Sequence, residues 1–255
     1  MESPSGQAGA RCETRRSIAI AHVLVIDADL SEAEGMKRPL EEAGLEVRLA
    51  GSGRDALAAA HANPPDLAVV EMLLPDLSGL GLVRAMREDP QLVRVPIVMV
   101  AATAAEMDRV VAFEVGVDDF VSKPFHPREL ALRVSAILRR TLRGSRGERP
   151  TLPLRFEELE LDASLRSVHV DGRAVRLTAK EFDVLAVLMR GAGRVLGRKQ
   201  ILDEVWGVAC GKTVRVVDTH VKWIRRKIEP AGRYIETLRG VGYRFTDRSE
   251  EALGE

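Results

Sequence analysis

Cysteine is almost missing: 255 residues contain only Cys12 and Cys210. Their separation matches no metal-ligand spacing, and two free thiols are ordinary in a reducing cytosol. Long apolar runs are missing too, since nothing approaches the roughly 20 residues that a membrane span needs. Two arginines precede an apolar run in MESPSGQAGARCETRRSIAIAHVLVID, which superficially suggests an export signal. That run stops at Asp27 and reads better as a buried strand, so the expectation is a cytoplasmic chain with no membrane partner. No glycine-rich cradle for a nucleotide is present, nor any nucleophile–base constellation or metal cluster. An enzyme is therefore not expected, and neither a cofactor nor a bound metal.

Net charge is also absent, with 38 basic against 38 acidic side chains. The balance is uneven along the chain. Residues 1–140 carry 16 Lys/Arg against 21 Asp/Glu, and residues 141–255 carry 22 against 17. Within 178–246 the count is 14 against 7, which concentrates the excess in one segment. A basic module joined to an acidic one points to a polyanion-binding half and a regulatory half.

The length suits two domains of ordinary size, each with its own core. In the first half, apolar runs at 21–26, 45–50, 67–72, 96–102 and 118–123 are separated by helix-length segments. Continuous apolar strands alternating with helices predict an α/β doubly wound parallel sheet, covered on both faces. Functional groups in such sheets gather at the C-terminal strand ends. The stretch 139–153, RRTLRGSRGERPTLP, has no periodicity and reads as a linker. The expected divisions are a disordered extension at 1–18, a first domain at 19–140, a linker at 141–152, a second domain at 153–248 and a disordered tail at 249–255.

In the second half, short strands are expected at 154–161, 167–170 and 174–177, with a turn at Asp171-Gly172. Thr178 and Glu181 form a capping box that opens a helix to about Met189. A second helix spans Arg198 to Val205. The third, RVVDTHVKWIRRKI from Arg215 to Ile228, carries an apolar stripe of Val217, Val221, Ile224 and Ile228. Arg215, Thr219, Lys222 and Arg226 repeat that spacing on the opposite side. A cationic face alone is as compatible with plain solvation as with a nucleic-acid groove. Two strands around Gly240-Val241-Gly242 then close the chain as a hairpin. Three helices and a basic hairpin make an α+β winged helix-turn-helix, whose last helix enters the major groove of double-stranded DNA.

LTAKEFDVLAVL, RVLGRKQILDEVWG, VRVVDTHVKWIRRKIE and IETLRGVGYRF resemble the effector domain of OmpR/PhoB-type response regulators over about 154–246. The resemblance implies a transcription regulator with Arg215, Thr219, Lys222 and Arg226 in the major groove and Arg239 in the minor groove. His220 and Tyr243 either touch phosphate or pack within the fold. Trp223 departs from the family, which usually has a cation there; stacking on sugar edges and covering an interface both stay open. The loop Gly207–Lys212 is where family members often meet RNA polymerase.

LPDLSG, DDFVSKPF and RELALRVSAILRR resemble the family's receiver domain, a flavodoxin-like (CheY-like) fold, over about 21–140. A receiver that phosphorylates itself needs an aspartate nucleophile, a Mg²⁺ held by acidic side chains, a hydroxyl and a lysine. Here the nucleophile position is Glu71. Of the acidic pair Asp27 remains while Ala28 fills the second slot; Asp29 should point elsewhere. Ala101 takes the hydroxyl position, Phe120 the aromatic one, and Lys123 is retained. A phosphorylation-independent regulator is expected, with Glu71 either imitating the phosphorylated charge pattern or filling a dead pocket. A ligand- or partner-sensing regulator that uses the altered pocket is the other reading. Arg109, Glu114, Asp118, Asp119, Glu129 and Arg133 are expected on a two-fold dimer face, as the resemblance implies, giving a homodimer through the receiver.

Overall fold

The computed structural model describes residues 20–102, 106–143, 152–207 and 214–246. The expected N-terminal extension, residues 144–151 of the linker expected at 141–152, residues 208–213 and the tail lie outside the described residues, as do both cysteines.

Five parallel strands build the first domain: β1 (His22–Ile26), β2 (Glu46–Ala50), β3 (Leu67–Glu71), β4 (Ile97–Ala101) and β5 (Asp119–Ser122). They stand in the order β2-β1-β3-β4-β5. Every residue of β3 and β4 is buried, which explains why LAVVE and IVMVA show no alternation. The helices are α1 (Leu30–Glu42), α2 (Gly53–Ala62), α3 (Gly79–Glu88), α4 (Glu106–Glu114) and α5 (Pro127–Arg143). Val23, Val25, Val69 and Val98 pack on one face with Met36 and Leu40 of α1 and Leu130 and Val134 of α5. Leu24, Ile26, Val70 and Met99 pack on the other with Ala56, Leu82 and Met86 of α2 and α3. Strand order reverses between β1 and β3, so the crevice beyond their C-terminal ends is the topological switch point. Asp27, Glu71 and Lys123 sit at those ends.

Local chemistry fixes the helix starts. Asp29 caps α1 by accepting from the Ser31 and Glu32 amides, which turns it away from the crevice as expected. The Asp76 carboxylate accepts from the Gly53 and Arg54 amides, both at 2.9 Å, and so ties α2 to the loop after β3. Helix α5 runs to Arg143, past the expected domain end at 140, because the first helix breaker is Gly144.

The second domain begins with a four-stranded antiparallel sheet, β6 (Leu154–Phe156), β7 (Leu159–Asp162), β8 (Ser167–Val170) and β9 (Arg173–Val175). The single strand expected at 154–161 is in fact a hairpin. Phe156 pairs with Leu159, and Glu157 turns the chain at a φ of 45°. That conformation is uncommon for glutamate, so composition gave no turn signal. Asp171 and Gly172 both have positive φ between Val170 and Arg173, the two-residue hairpin turn read from the sequence. Then follow α6 (Ala179–Arg190), β10 (Val195–Gly197), α7 (Arg198–Trp206), α8 (Arg215–Lys227), a 3₁₀ turn (Ala231–Tyr234), β11 (Ile235–Leu238) and β12 (Gly242–Phe245). Strand β12 lies between β10 and β11. Both bonds of the Thr178–Glu181 capping box form at the start of α6. Val217, Val221, Ile224 and Ile228 are all buried against α6, α7 and the hairpin, as the stripe predicted. Between the domains, α4 packs against α8.

Candidate functional site

At the switch point, β1 delivers Asp27, β3 delivers Glu71, and the turn after β5 delivers Lys123. The Lys123 ammonium lies 2.6 Å from Glu71 Oε2 and 3.5 Å from Asp27 Oδ2, and donates to Glu32. Glu71 Oε1 accepts from the Met72 amide at 2.9 Å. Asp27 Oδ1 accepts from the Asp29 amide at 2.9 Å, while Oδ2 is buried without a hydrogen-bond donor. Burial pushes the Asp27 carboxyl above the usual range; the Asp29 amide and Lys123 oppose this, and the charges of Glu71 and Glu32 add to it. Burial works against the Lys123 charge. Its bonds to Glu32 and Glu71, with the Glu71 and Asp27 charges, nevertheless raise its pKa above the ordinary lysine value. Ala101 is buried at the end of β4 and offers no hydroxyl, and Phe120 is turned inward.

Glu32 was missed. The sequence reading left Asp27 alone of the acidic pair, whereas Asp27, Glu32 and Glu71 can bring carboxylate oxygens within 4.8 Å of one another. One signal was available: Glu32 stands three residues after the helix cap Asp29, where a glutamate ordinarily folds back onto the cap. Here it turns to Lys123 instead. Three oxygens so placed suit a hard divalent cation in donor type and spacing. The Lys123 ammonium contacts all three of these carboxylates and supplies the positive charge among them.

The second candidate surface is the open side of α8 and the turn beyond β11. Arg215, Lys222, Arg226 and Arg239 are exposed and Thr219 is half-buried, so the face read from helical periodicity exists. The Arg226 guanidinium lies 3.9 Å from the Trp223 ring centroid. Arg239 sits at the hairpin tip, beside Gly240 at a φ of 75°. His220 and Tyr243 belong to the interior, which decides against phosphate contact. His220 is 4% exposed, its Nδ1 bonds the Val216 carbonyl at 2.8 Å, and its ring meets Trp206 edge-on. Burial lowers its pKa. Tyr243 donates to Asp218, which also pairs with Arg198 at 2.7 Å. Burial, then the Asp218 contact, push the Tyr243 hydroxyl up to about 12. Arg225, also missed, donates to the Ile235 carbonyl and to Thr237 at 2.9 Å and so holds α8 to the hairpin.

Residues 23–135 match the family described as response regulator receiver domain, and residues 172–245 match transcriptional regulatory protein, C terminal. The chain belongs to the OmpR/PhoB-type response regulators. The sensory transduction protein RegX3 of Mycolicibacterium smegmatis is 36% identical over 226 residues, covering 88% of this chain and 98% of RegX3. The transcriptional regulatory protein PrrA of Mycobacterium tuberculosis is 39% identical over 223 residues, covering 87% and 94%. Among solved structures, a cysteine-to-serine mutant of RitR is 26% identical with a TM-score of 0.71, covering 88% of this chain and 98% of that one. This response regulator is thus a DNA-binding regulator of transcription and not an enzyme. Among its described residues no helix is long and apolar enough to cross a membrane.

The six residues expected on the receiver's dimer face divide. Glu114 and Glu129 are exposed, and Arg109 and Arg133 are half-buried. Arg133 pairs with Glu129 at 2.9 Å and with Asp119 at 3.3 Å. Asp118 and Asp119 are 1% and 8% exposed and do not belong to a surface. Asp118 answers the guanidinium of Arg87 at 2.9 Å and the Ile97 amide at 2.8 Å. Arg87 also donates to the carbonyls of Val93, Val95 and Gly116, and a guanidinium buried so deeply needs a counter-ion beside it. Charge at a strand start reads as exposed in the sequence; the buried arginine that draws it inward comes from another element.

Proposed function

We propose that this response regulator binds DNA in the cytoplasm without an aspartyl-phosphate switch, the Lys123 ammonium serving as the resident cation of its receiver pocket. The contact of Lys123 with both Glu71 and Glu32 carries the reading. In a working receiver the acidic side chains hold Mg²⁺ and the lysine pairs with the phosphoryl group. Here the lysine is bound from within, Ala28 supplies no second carboxylate, and Ala101 supplies no hydroxyl. A glutamate carries about one negative charge where a phosphoryl group carries roughly two. The Glu71–Lys123 pair therefore reproduces the active charge pattern only in part, and with Ala101 it has no hydroxyl relay to Phe120.

On the effector side, Arg215 and Arg226 suit guanine edges in the major groove, while Thr219 and Lys222 hold phosphate or position the helix. Arg239 reaches the minor groove. A receiver homodimer uses Arg109, Glu114, Glu129 and Arg133. Exposed ion pairs contribute about 0–1 kcal/mol each, so these charges set register more than affinity.

Incubating the purified chain with acetyl phosphate and Mg²⁺, followed by intact-mass analysis, tests the proposal. No adduct is expected; a stoichiometric phosphoryl adduct overturns it. One observation favours a second reading, ligand sensing: a cavity of about 420 Å³ beside Lys123, lined by Met36, Phe125 and Pro127 among others. Its size is in the range of small-molecule sites. A metabolite that raises Tm and changes DNA affinity, both lost in Met36→Trp, selects that reading.

A further inference from the structure

We infer that the cavity beside Lys123 takes an organic ammonium ion: a protonated amine pairs with Glu32 while its apolar body lies on Met36, Phe125 and Pro127. The inference rests on the ligand-sensing reading and gives that ligand a chemical class. Among the described residues that line the cavity, Glu32 and Lys123 alone carry charge. Lys123 is not free to receive an anion, because its ammonium already contacts Glu32, Glu71 and Asp27. Glu71 and Asp27 are buried and do not line the cavity, whereas Glu32 stands exposed on its wall.

The charge balance favours a cation. Even with Asp27 protonated, Glu32 and Glu71 outnumber Lys123, so an entering anion meets an excess of its own sign and an entering ammonium meets the opposite. Glu32 can turn to a second cation while Lys123 keeps Glu71 at 2.6 Å and Asp27 at 3.5 Å. A carboxylate has about four acceptor positions, enough to serve both ammonium groups. An exposed ion pair by itself binds weakly, so the apolar lining must supply the rest of the affinity.

That lining is suited to the task. The cavity holds about 420 Å³, and its six other lining residues are glycine, alanine, proline, methionine or phenylalanine. Small-molecule sites are typically apolar in this way, with a few placed polar groups. Gly35 is the telling residue. It stands inside α1, where glycine weakens a helix. A Cβ there would meet nothing within 4 Å, so close packing does not require the glycine. Its missing side chain instead leaves the wall open between this cavity and a groove of about 710 Å³, lined also by Pro39, His126 and Leu132. Pro39 has no N–H to give the Gly35 carbonyl, which thereby lacks its ordinary helical donor. The backbone at Gly35 offers the ammonium a second acceptor.

The test titrates the full chain, isotope-labelled at its methionine methyl groups, with phenethylamine, which is cationic at neutral pH. Phenethyl alcohol and hydrocinnamate serve as neutral and anionic probes of similar size. Isothermal titration calorimetry gives the affinity, and the Met36 methyl resonance reports occupancy of the cavity. The amine is expected to bind at about 1 mM, about tenfold more tightly than the alcohol, with the carboxylate weaker still. Glu32→Gln is expected to remove that preference. Gly35→Leu, which fills the open wall with a better helix former, is expected to abolish binding while raising Tm. An amine that binds no more tightly than the alcohol or the carboxylate overturns the ammonium class and leaves the ligand-sensing reading standing. A preference that survives Glu32→Gln overturns the pairing, and amine binding that survives Gly35→Leu overturns the site. No Met36 shift with any of the three probes at about 10 mM overturns the inference and removes the cavity's support for ligand sensing with it.

Discussion

Glu32 on α1 accepts a hydrogen bond from Lys123, across 91 residues of sequence. Glu71 approaches the same ammonium from β3. One cation thus bridges the first helix and the central strand at the sheet's switch point, in the space where phosphoryl chemistry otherwise takes place. Three carboxylates against one ammonium leave the pocket over-supplied with negative charge, and the buried Asp27 carries the strain.

Asp27→Asn should stabilise the protein near neutral pH. The native carboxyl has a raised pKa, so the folded state holds its proton more tightly than the unfolded state does. Its contribution to stability is complete below the ordinary aspartate pKa and is lost as pH rises through the raised value. The variant has no such group. Its Tm should exceed that of the parent at about pH 7.5, and the gap should close as pH falls toward about 4. A gap that widens with acid would reverse the sign of this argument.

Gly79→Ala should damage the receiver from beneath its pocket. A Cβ at Gly79 would stand 2.3 Å from the Glu71 carbonyl oxygen and 3.0 Å from the Met72 Cα, both backbone atoms that cannot rotate away. Overpacking of this kind costs about 1–3 kcal/mol. Differential scanning calorimetry should show a receiver transition lowered by about 4–8 °C per kcal/mol, with the effector domain unaffected.

Lys222→Ala and Arg239→Ala should each reduce the salt dependence of duplex binding by about one unit in the slope of log K against log salt. Arg215→Ala should in addition weaken discrimination between sequences, since a guanidinium fork reads guanine where a lysine holds phosphate. Lys199 on α7 pairs with Asp203 at 2.6 Å and is the control, with no change expected. Equal effects at all four positions would mean that the helix face and hairpin tip have no special place in the complex.

Much of the molecule was written in local sequence. Strand β3 had to be interior because the four residues from Leu67 to Val70 are all apolar, and α8 had to present two edges because its apolar and cationic residues repeat at helical spacing. The Thr178–Glu181 box and the Asp171-Gly172 turn were legible for the same reason: each is satisfied within four residues of chain. The identities of Glu71, Ala28 and Ala101 likewise needed no coordinates. Tertiary structure alone decided what meets across long separations. Glu32 reaches Lys123 because α1 lies against α5 and the turn after β5; Asp118 turns inward because Arg87 arrives from α3; Trp223 faces the receiver because α4 packs on α8. A charged or aromatic side chain has no preferred partner until folding brings one near, since desolvation and Coulomb energy depend on distances that sequence spacing does not contain.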